Sequence, residues 1–216
     1  MAKTTAPLLS FDAGGAIAKT QVYSRWRGVP YVRRYVIPAN PQTTAQTLTR
    51  DIFRTMGQMW NFLPAGGRAP WTAFATGRAF TDRNAFTGQN VSAIRAAPSD
   101  FAAFIGSPGA LGGIPPADIT PTPGTNNVAF AVDVPDAPVG WTITAAQGIL
   151  FPDGDPTAIW QTPILFEEDT STTYELDFTG LDATTDYVAS IWLAWEKPNG
   201  YAAYSVGTTI QVTTTS

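Results

Sequence analysis

Hydrophobic and polar residues alternate along this chain in two rhythms, one typical of strands and one typical of helices. Residues 17–26 and 31–37 follow a period of two and are rich in β-branched and aromatic side chains, which predicts two strands. The segment RGVP between them contains Gly28 and Pro30, two residue types common in turns. The pattern therefore predicts a β-hairpin whose successive side chains point to opposite faces.

A helical rhythm follows the hairpin. Apolar residues recur at three- and four-residue spacing from Leu48 to Leu63, which predicts an amphipathic helix of about six turns. We expect Asn40 to cap its amino terminus, and we expect Pro64 and the Gly66-Gly67 pair to end it. Two shorter helices are predicted after it, across residues 68–80 and 83–97.

From residue 121 onward the strand rhythm returns in short runs that turn residues separate. The runs are NVAFAVDV, GWTITAAQGIL, TTYELDFTGL, DYVASIWLAWEK and TTIQVTTT. Their spacing predicts an all-β sandwich. Trp192 and Trp195 lie three residues apart in the fourth run, so we expect them on opposite faces, one in the core and one open to an interface.

Charge and composition divide the chain in the middle. Residues 96–127 are crowded with proline and glycine and nearly free of charge, which is typical of an extended linker. Residues 1–100 carry twelve Lys and Arg against four Asp, whereas residues 101–216 carry one Lys against thirteen acidic residues. We therefore predict a basic α+β domain (a β-hairpin plus two or three helices) over 1–97, a linker over 98–120 and an acidic β-sandwich over 121–216.

The composition also narrows the possible chemistry. The 216 residues include no histidine and no cysteine, which removes the commonest general base, thiolate metal ligands, disulfides and a cysteine nucleophile. We therefore expect no enzyme activity, no catalytic residues, no cofactor and no metal site. The acidic groups at Asp153, Asp155 and 167–169 are interpreted as turns and solvated loops, since their spacing matches no calcium-binding loop.

The chain lacks the hydrophobic segments that direct proteins to membranes. No segment approaches the roughly 20 apolar residues of a membrane-spanning helix. The first residues, MAKTTAPLLSFDAGG, lack the continuous apolar run of a secretory signal. We expect a protein that is made in a cytoplasm and has no membrane partner.

A leucine turn, a threonine and a strand-opening tyrosine occur in order at Leu181, Thr185 and Tyr187, and Tyr204-Ser205 precedes a Thr-rich final strand. This order resembles the end of a fibronectin type III domain. The resemblance implies that residues 121–216 form an immunoglobulin/fibronectin III-like sandwich. Folds of this class serve as interaction modules in many settings, so the resemblance does not specify what is bound.

A second set of motifs lies in the first hundred residues: an S-R-x-x-G hairpin, N-P-x-T-x-x-Q, and two helices that each carry a tryptophan. The matching positions are Ser24, Arg25, Gly28, Arg33, Asn40, Pro41, Thr43, Gln46, Arg50, Trp60, Arg68 and Trp71. The combination resembles a family of small virion proteins from tailed bacteriophages and prophages, many of which append an immunoglobulin-like or fibronectin-like domain. The resemblance implies a structural role in the virion.

The hairpin is the candidate site, because SRWRGVPYVRRYV places four arginines and three aromatic rings within thirteen positions. Arginine and aromatic residues are enriched at protein interfaces. Strand alternation leaves two basic sets open as the docking face, Arg25/Arg27/Arg33 or Arg34 with its neighbours. A nucleic-acid site that contacts phosphates and stacks bases, or a merely solvated face, are the alternatives. The predicted docking residues are Arg25, Trp26, Arg27, Tyr31, Arg33, Arg34 and Tyr35.

Together these features predict a non-enzymatic bacteriophage structural protein. We expect a capsid decoration (cement) protein that binds in many copies to the outer capsid surface and stabilises it. The expected partners are the major capsid protein and neighbouring copies of the chain, and the expected location is the virion, after synthesis in the host bacterial cytoplasm. The alternatives are a tail, neck or baseplate component and, from another class, a nucleic-acid-binding protein that acts through residues 1–95.

Overall fold

A computed structural model describes residues 3–4, 13–27, 29–37, 39–40, 42–110 and 112–216. The chain separates into two compact units, Met1–Gln42 and Thr43–Ser216. The strands of the first unit are β1 (Lys3–Thr4), β2 (Ala13–Ile17), β3 (Gln21–Trp26) and β4 (Val29–Arg34). The helices of the second unit are α1 (Thr44–Phe62), α2 (Ala65–Ala75) and α3 (Asp82–Ile94). Its strands are β5 (Pro108–Ala110), β6 (Asp118–Pro123), β7 (Asn127–Asp133), β8 (Thr142–Pro152), β9 (Leu165–Asp169), β10 (Glu175–Thr179), β11 (Asp186–Glu196), β12 (Ala202–Val206) and β13 (Thr208–Thr213).

The first unit is a single antiparallel sheet with the strand order β1-β2-β3-β4. The predicted hairpin is present as β3 and β4, but its turn is shorter than RGVP because Trp26 pairs directly with Val29. Pro30 lies inside β4, where an edge strand tolerates a residue without an amide hydrogen. Gly28 and Pro41 lie outside the described residues. Every side chain described in this unit is exposed or half-buried, so no core is found among the described residues of the sheet.

The long helix α1 begins later than its sequence pattern predicts and ends just before the predicted stop at Pro64. Thr43, not Asn40, occupies the N-cap position. Pro64 separates α1 from the next helix, as predicted. Gly66 and Gly67 do not contribute to this stop, because both glycines lie in the first turn of α2. A Cβ atom on Gly66 would overlap the ring of Phe166, so the absence of a side chain lets α2 approach the sheet closely.

Helix α3 fixes the segment that follows it. Its N-cap is Thr81, whose side-chain oxygen accepts a hydrogen bond from the backbone N–H of Asn84 at 3.2 Å. The buried side chain of Asn90 donates through Nδ2 to the carbonyl oxygens of Phe86 and Ile105, at 3.1 Å each. Its Oδ1 accepts from the N–H of Ile105 at 2.7 Å. Residue 105 is thereby held against the helix by a fully satisfied buried amide.

The second unit contains the predicted sandwich. One sheet has the order β10-β7-β6, and the other has the order β5-β12-β11-β8-β9 with β13 also paired to β11. Counted from β6, the first, second and fifth strands (β6, β7 and β10) form one sheet, and the later strands β8, β9, β11, β12 and β13 belong to the other. Immunoglobulin and fibronectin type III domains share this arrangement. The backbone N–H of Asp182 donates to the hydroxyl oxygen of Tyr187 at 3.0 Å, which is the tyrosine corner of that class. The immunoglobulin/fibronectin III-like fold is therefore confirmed.

The larger sheet is buried on both of its faces. One face meets the smaller sheet in an inter-sheet core, and the other meets the three helices in a helix-side core. The inter-sheet core includes Phe130, Leu150, Leu176, Ile191 and Trp195. The helix-side core includes Trp60, Trp71, Phe86, Ile149, Phe151, Val188 and Trp192. Trp192 and Trp195 face opposite sides as predicted, but both are fully buried, so neither is open to an interface.

The structure divides the chain at a different place from the sequence-based boundaries of 97 and 121. The helices share a core with the sandwich, and the division falls between Gln42 and Thr43. Residues 98–120 do not form an extended linker, because Phe101 and Phe104 are buried and β5 pairs with β12. Five described residues of this segment are buried: Phe101, Phe104, Gly106, Ser107 and Ala110. The net charges of the two units still have opposite signs, +5 for residues 1–42 and −9 for residues 43–216.

Gly113 lies so close to a neighbouring strand that alanine cannot fit there. A Cβ atom at this position would overlap the backbone of Tyr204 and Ser205 in β12. The adjacent carbonyl of Ile114 accepts a hydrogen bond from Trp195 Nε1 at 2.9 Å, so a displaced segment would also disturb the core. We expect Gly113→Ala to lower the free energy of unfolding by about 1–3 kcal/mol, measured by urea denaturation.

Gly88 provides the matched control. It lies inside α3, and a Cβ atom at this position would have no other atom within 4 Å beyond its own helix backbone and chain neighbours. Gly88→Ala should raise the free energy of unfolding by about 0.4–1 kcal/mol, because alanine reduces the entropy of the unfolded chain. Equal effects of the two substitutions would contradict the close approach at Gly113.

Candidate protein-docking site

The strand register of the hairpin divides its side chains between two faces. Residues that lie opposite each other on antiparallel strands share a face of the sheet. We call one side the aromatic face, which consists of the pairs Val22/Arg33, Ser24/Tyr31 and Trp26/Val29. We call the other side the basic face, which consists of the pairs Gln21/Arg34, Tyr23/Val32 and Arg25/Pro30.

This register changes the predicted grouping of the arginines. The set Arg25/Arg27/Arg33 is not formed, because Arg33 lies on the aromatic face and Arg25 shares the basic face with Arg34. Grouping Arg25 with Arg33 would need an odd number of residues in the turn. The two-residue turn between Trp26 and Val29 pairs odd-numbered residues of β3 with even-numbered residues of β4.

The aromatic face exposes a cluster of large apolar side chains near the turn. Trp26 is 66% exposed, Val29 65% and Tyr31 40%. Together they line a shallow hollow of about 550 Å³. The guanidinium of Arg27, a turn residue with φ of 48°, lies 4.8 Å from the centre of the Trp26 ring. Rigid aromatic rings beside a guanidinium are typical of the residues that dominate protein–protein binding energy.

A second groove, of about 500 Å³, lies at the other end of the hairpin. It is lined by Lys19, Thr20, Gln21, Val32, Arg33, Arg34 and Tyr35. Tyr35, the last predicted docking residue, follows β4, and its backbone N–H donates to the carbonyl oxygen of Thr20 at 2.8 Å. Three of these lining residues, Lys19, Arg33 and Arg34, are basic.

Lys19 was not predicted to belong to the site. The sequence 17–26 reads as one continuous strand, whereas the structure places a tight turn between β2 and β3. Ala18 and Lys19 both have positive φ angles, 48° and 55°, and neither residue type is typical of such a turn. No turn residue in the sequence therefore indicated that Lys19 would lie beside Arg33 and Arg34.

The acidic residues that could suggest a cation site instead accept hydrogen bonds from nearby backbone and side-chain groups. Asp153 accepts hydrogen bonds from the N–H of Phe101 and from Gln211 Nε2. Hydrogen bonds from the hydroxyl and N–H of Thr157 hold the pKa of Asp155 below its ordinary value. Bonds from Ser171 do the same for the pKa of Asp169. Within the described part of the chain, no group of three acidic residues is placed to hold a metal ion.

Comparisons with known proteins give structural similarities alone. No protein-family model matches the sequence, and no curated protein matches it. The chain is similar to a computationally redesigned β-sandwich protein, with 21% identity and a TM-score of 0.36 over 48% of this chain and 91% of that one. It is also similar to the FN5 domain of Drosophila Lar, with 20% identity and a TM-score of 0.34 over 48% of this chain and 99% of that one. The fold assignment rests on the strand order and the tyrosine corner.

None of the helices found among the described residues is long and apolar enough to cross a lipid bilayer.

Proposed function

We propose that this chain is a non-enzymatic structural protein of a tailed-bacteriophage virion. It acts as a capsid decoration (cement) protein, bound in many copies to the outer capsid surface, with the major capsid protein and neighbouring copies as its partners. The observation that carries the proposal is the N-terminal sheet, which exposes Trp26, Val29 and Tyr31 on one face and has no buried side chain among those described. The virion location rests on the sequence resemblance to phage structural proteins.

A sheet of this kind gains stability when a partner covers it. An antiparallel sheet usually needs a packed apolar face to be stable, and clustered apolar exposure is typical of interaction sites. Full burial of a large apolar side chain contributes roughly 1.5–3 kcal/mol. Docking the aromatic face would therefore stabilise both the sheet and the complex.

Stabilisation of a capsid by such a protein needs no chemistry. A protein that binds the assembled shell, and not its separated subunits, shifts the equilibrium toward the shell by mass action. A contact that spans a junction between capsid subunits binds only the assembled form. The absence of histidine and cysteine from the sequence is compatible with a role of this kind.

Docking on protein is favoured over binding to nucleic acid for two reasons. The guanidinium of Arg27 already covers one side of the Trp26 ring, which limits base stacking on it. Residues 43–216 carry a sequence net charge of −9, which repels a polyanion. A nucleic-acid-binding protein would lose affinity steeply as salt rises, so a salt titration with the full chain and duplex or single-stranded DNA distinguishes the alternatives.

Cryo-electron microscopy of the virion tests the location directly. We expect density for the sandwich and helices in repeated copies on the outer surface of the capsid. Density in the tail, neck or baseplate would instead favour the alternative structural role. Absence of the chain from mature particles would rule out both.

A substitution on the aromatic face should weaken capsid binding. We expect Trp26→Ala to reduce the affinity for capsids that lack the protein by about 30-fold or more, because it removes an exposed aromatic anchor. Co-sedimentation of the full-length variant with purified capsids measures the effect. Val139→Ala serves as the control, since Val139 is fully exposed in the other unit and should leave binding unchanged. Equal binding by both variants would show that the aromatic face is merely solvated.

A further inference from the structure

The outer face of the smaller sheet is acidic. Its outward residues include four carboxylates around two alanines, because Val128, Phe130 and Val132 point into the inter-sheet core. We call this surface the acidic face, which consists of Asp118, Asp133, Glu175 and Asp177 around Ala129 and Ala131. Asp118 and Asp133 lie directly opposite each other on β6 and β7, an arrangement of like charges that destabilises a sheet unless a cation approaches.

Residues 101–216, which form the sandwich, supply almost no basic side chain that could neutralise the acidic face. Between residues 101 and 216 the sequence contains one basic residue, Lys197. Its ammonium lies 5.0 Å from the centre of the Trp141 ring, where it makes a cation–π contact. All the charged side chains of the acidic face are therefore negative, with Ala129 and Ala131 between them.

The basic face of the N-terminal sheet has the opposite charge and a largely apolar centre. Arg25 and Arg34 mark its two ends, and Tyr23 with Val32 occupies its centre. Val32 is 55% exposed. An apolar centre of this kind can pack against the small side chains of Ala129 and Ala131, as the inner faces of two stacked sheets do.

The charged positions on the two faces are also similarly spaced. Arg25 pairs with Pro30, so Arg34 lies four residues along the strand and one strand across from it. Asp177 pairs with Ala129, so Asp133 likewise lies four residues along and one strand across. With strands about 4.8 Å apart and a rise of about 3.4 Å per residue, both separations are about 14 Å.

We propose that the basic face of one copy of the chain docks on the acidic face of a neighbouring copy. Arg25 and Arg34 lie over Asp177 and Asp133 of the neighbour, and Tyr23 with Val32 packs on its alanines. The sequence charges of the two units, +5 and −9, draw the copies together. The aromatic face stays available to a different partner, so this contact goes beyond the proposed capsid binding and does not depend on it.

A contact between two unlike surfaces has a structural consequence. Each copy offers one basic face and one acidic face, so copies join head to tail and form rings or open chains. Two basic faces would repel each other, which excludes a symmetric pairing of this sheet with itself. Because the attraction is largely between exposed charges, it should weaken as salt rises.

Charge reversal in the full-length protein tests the contact. Sedimentation velocity at low ionic strength should show concentration-dependent association of the unaltered chain. Arg34→Glu and Asp133→Lys should each weaken self-association about tenfold or more, because each places like charges together. The double variant Arg34→Glu/Asp133→Lys should recover most of the association, because the charges are exchanged across the contact.

Two controls carry the same changes in charge on other surfaces. Arg33→Glu lies on the aromatic face, one residue from Arg34, and Asp136→Lys lies beyond the end of β7. Both should associate like the unaltered chain, and Arg33→Glu should lose capsid binding instead. A chain that stays monomeric at all concentrations overturns the proposal. So does association that survives either single reversal, or a double variant that does not recover.

Discussion

A fragment limited to residues 121–216 should fail to form a stable monomer, although these residues include most of the sandwich. Removing the helices exposes Ile149, Phe151, Val188 and Trp192, all of which are fully buried in the helix-side core. At roughly 1.5–3 kcal/mol for each side chain, the loss approaches the roughly 5–15 kcal/mol by which whole domains are stable. Circular dichroism melts and dye binding should show a broad transition and exposed apolar surface.

The fragment 43–216 is the matched comparison. It keeps the helices and both sheets and loses only the N-terminal unit, whose described side chains are exposed or half-buried. We expect it to unfold cooperatively, with a midpoint close to that of the full chain. A fragment 121–216 that melts as sharply as fragment 43–216 would show that the helix layer is not required for the sandwich.

The sandwich could be predicted from the sequence. The alternation of apolar and polar residues alone could not predict that its larger sheet is buried on both faces. The run YVASIWLAW in β11 is nearly continuous in apolar and small residues, a pattern typical of strands with both faces buried. Trp192 and Trp195 in that run were expected on opposite faces, and they are. What covers the second face depends on three helices that are distant in sequence, so tertiary packing decided it.

The segment 98–120 shows how composition can mislead. Proline, glycine and missing charge are typical of linkers, but the same composition suits a backbone that lies against a core. Gly106 accepts a hydrogen bond from Trp71 Nε1 on its carbonyl oxygen, and its own N–H donates to Ser190 Oγ at 3.2 Å. Phe101 and Phe104 are buried in this segment, and nothing in the local sequence indicates the surface that they contact.

The position of the candidate docking residues along the chain could be predicted from the sequence. All seven predicted docking residues lie in or beside the hairpin, because alternation and arginine content are local signals. Their division between faces depends on the number of residues in the turn, and a change of one residue moves every side chain of a strand to the other face. The acidic face could be recognised only after the pairing of β6, β7 and β10 was known.

Trp71→Ala should cause the largest loss of stability among single substitutions in the helix-side core. Trp71 is fully buried, and its ring meets that of Phe86 edge-on, with centroids 5.3 Å apart. Its Nε1 donates to the carbonyl oxygen of Gly106 at 2.7 Å. Replacing a buried tryptophan with alanine costs about 3–5 kcal/mol, and leaving a buried carbonyl without a donor adds about 1–3 kcal/mol.

Two further variants distinguish the possible causes of this loss of stability. One tests the hydrogen bond separately from packing, and the other tests the removal of a tryptophan from an exposed position. Trp71→Phe keeps most of the ring and loses the donor, so it should cost less than Trp71→Ala and still more than about 1 kcal/mol. Trp26→Ala removes the same side chain from a position that is 66% exposed, and it should change the free energy of unfolding by less than about 0.5 kcal/mol. Urea denaturation of the three variants measures all of these differences. Similar losses for Trp71→Ala and Trp26→Ala would mean that the helices do not pack on the sheet as described, because the shared core is what makes Trp71 costly to remove.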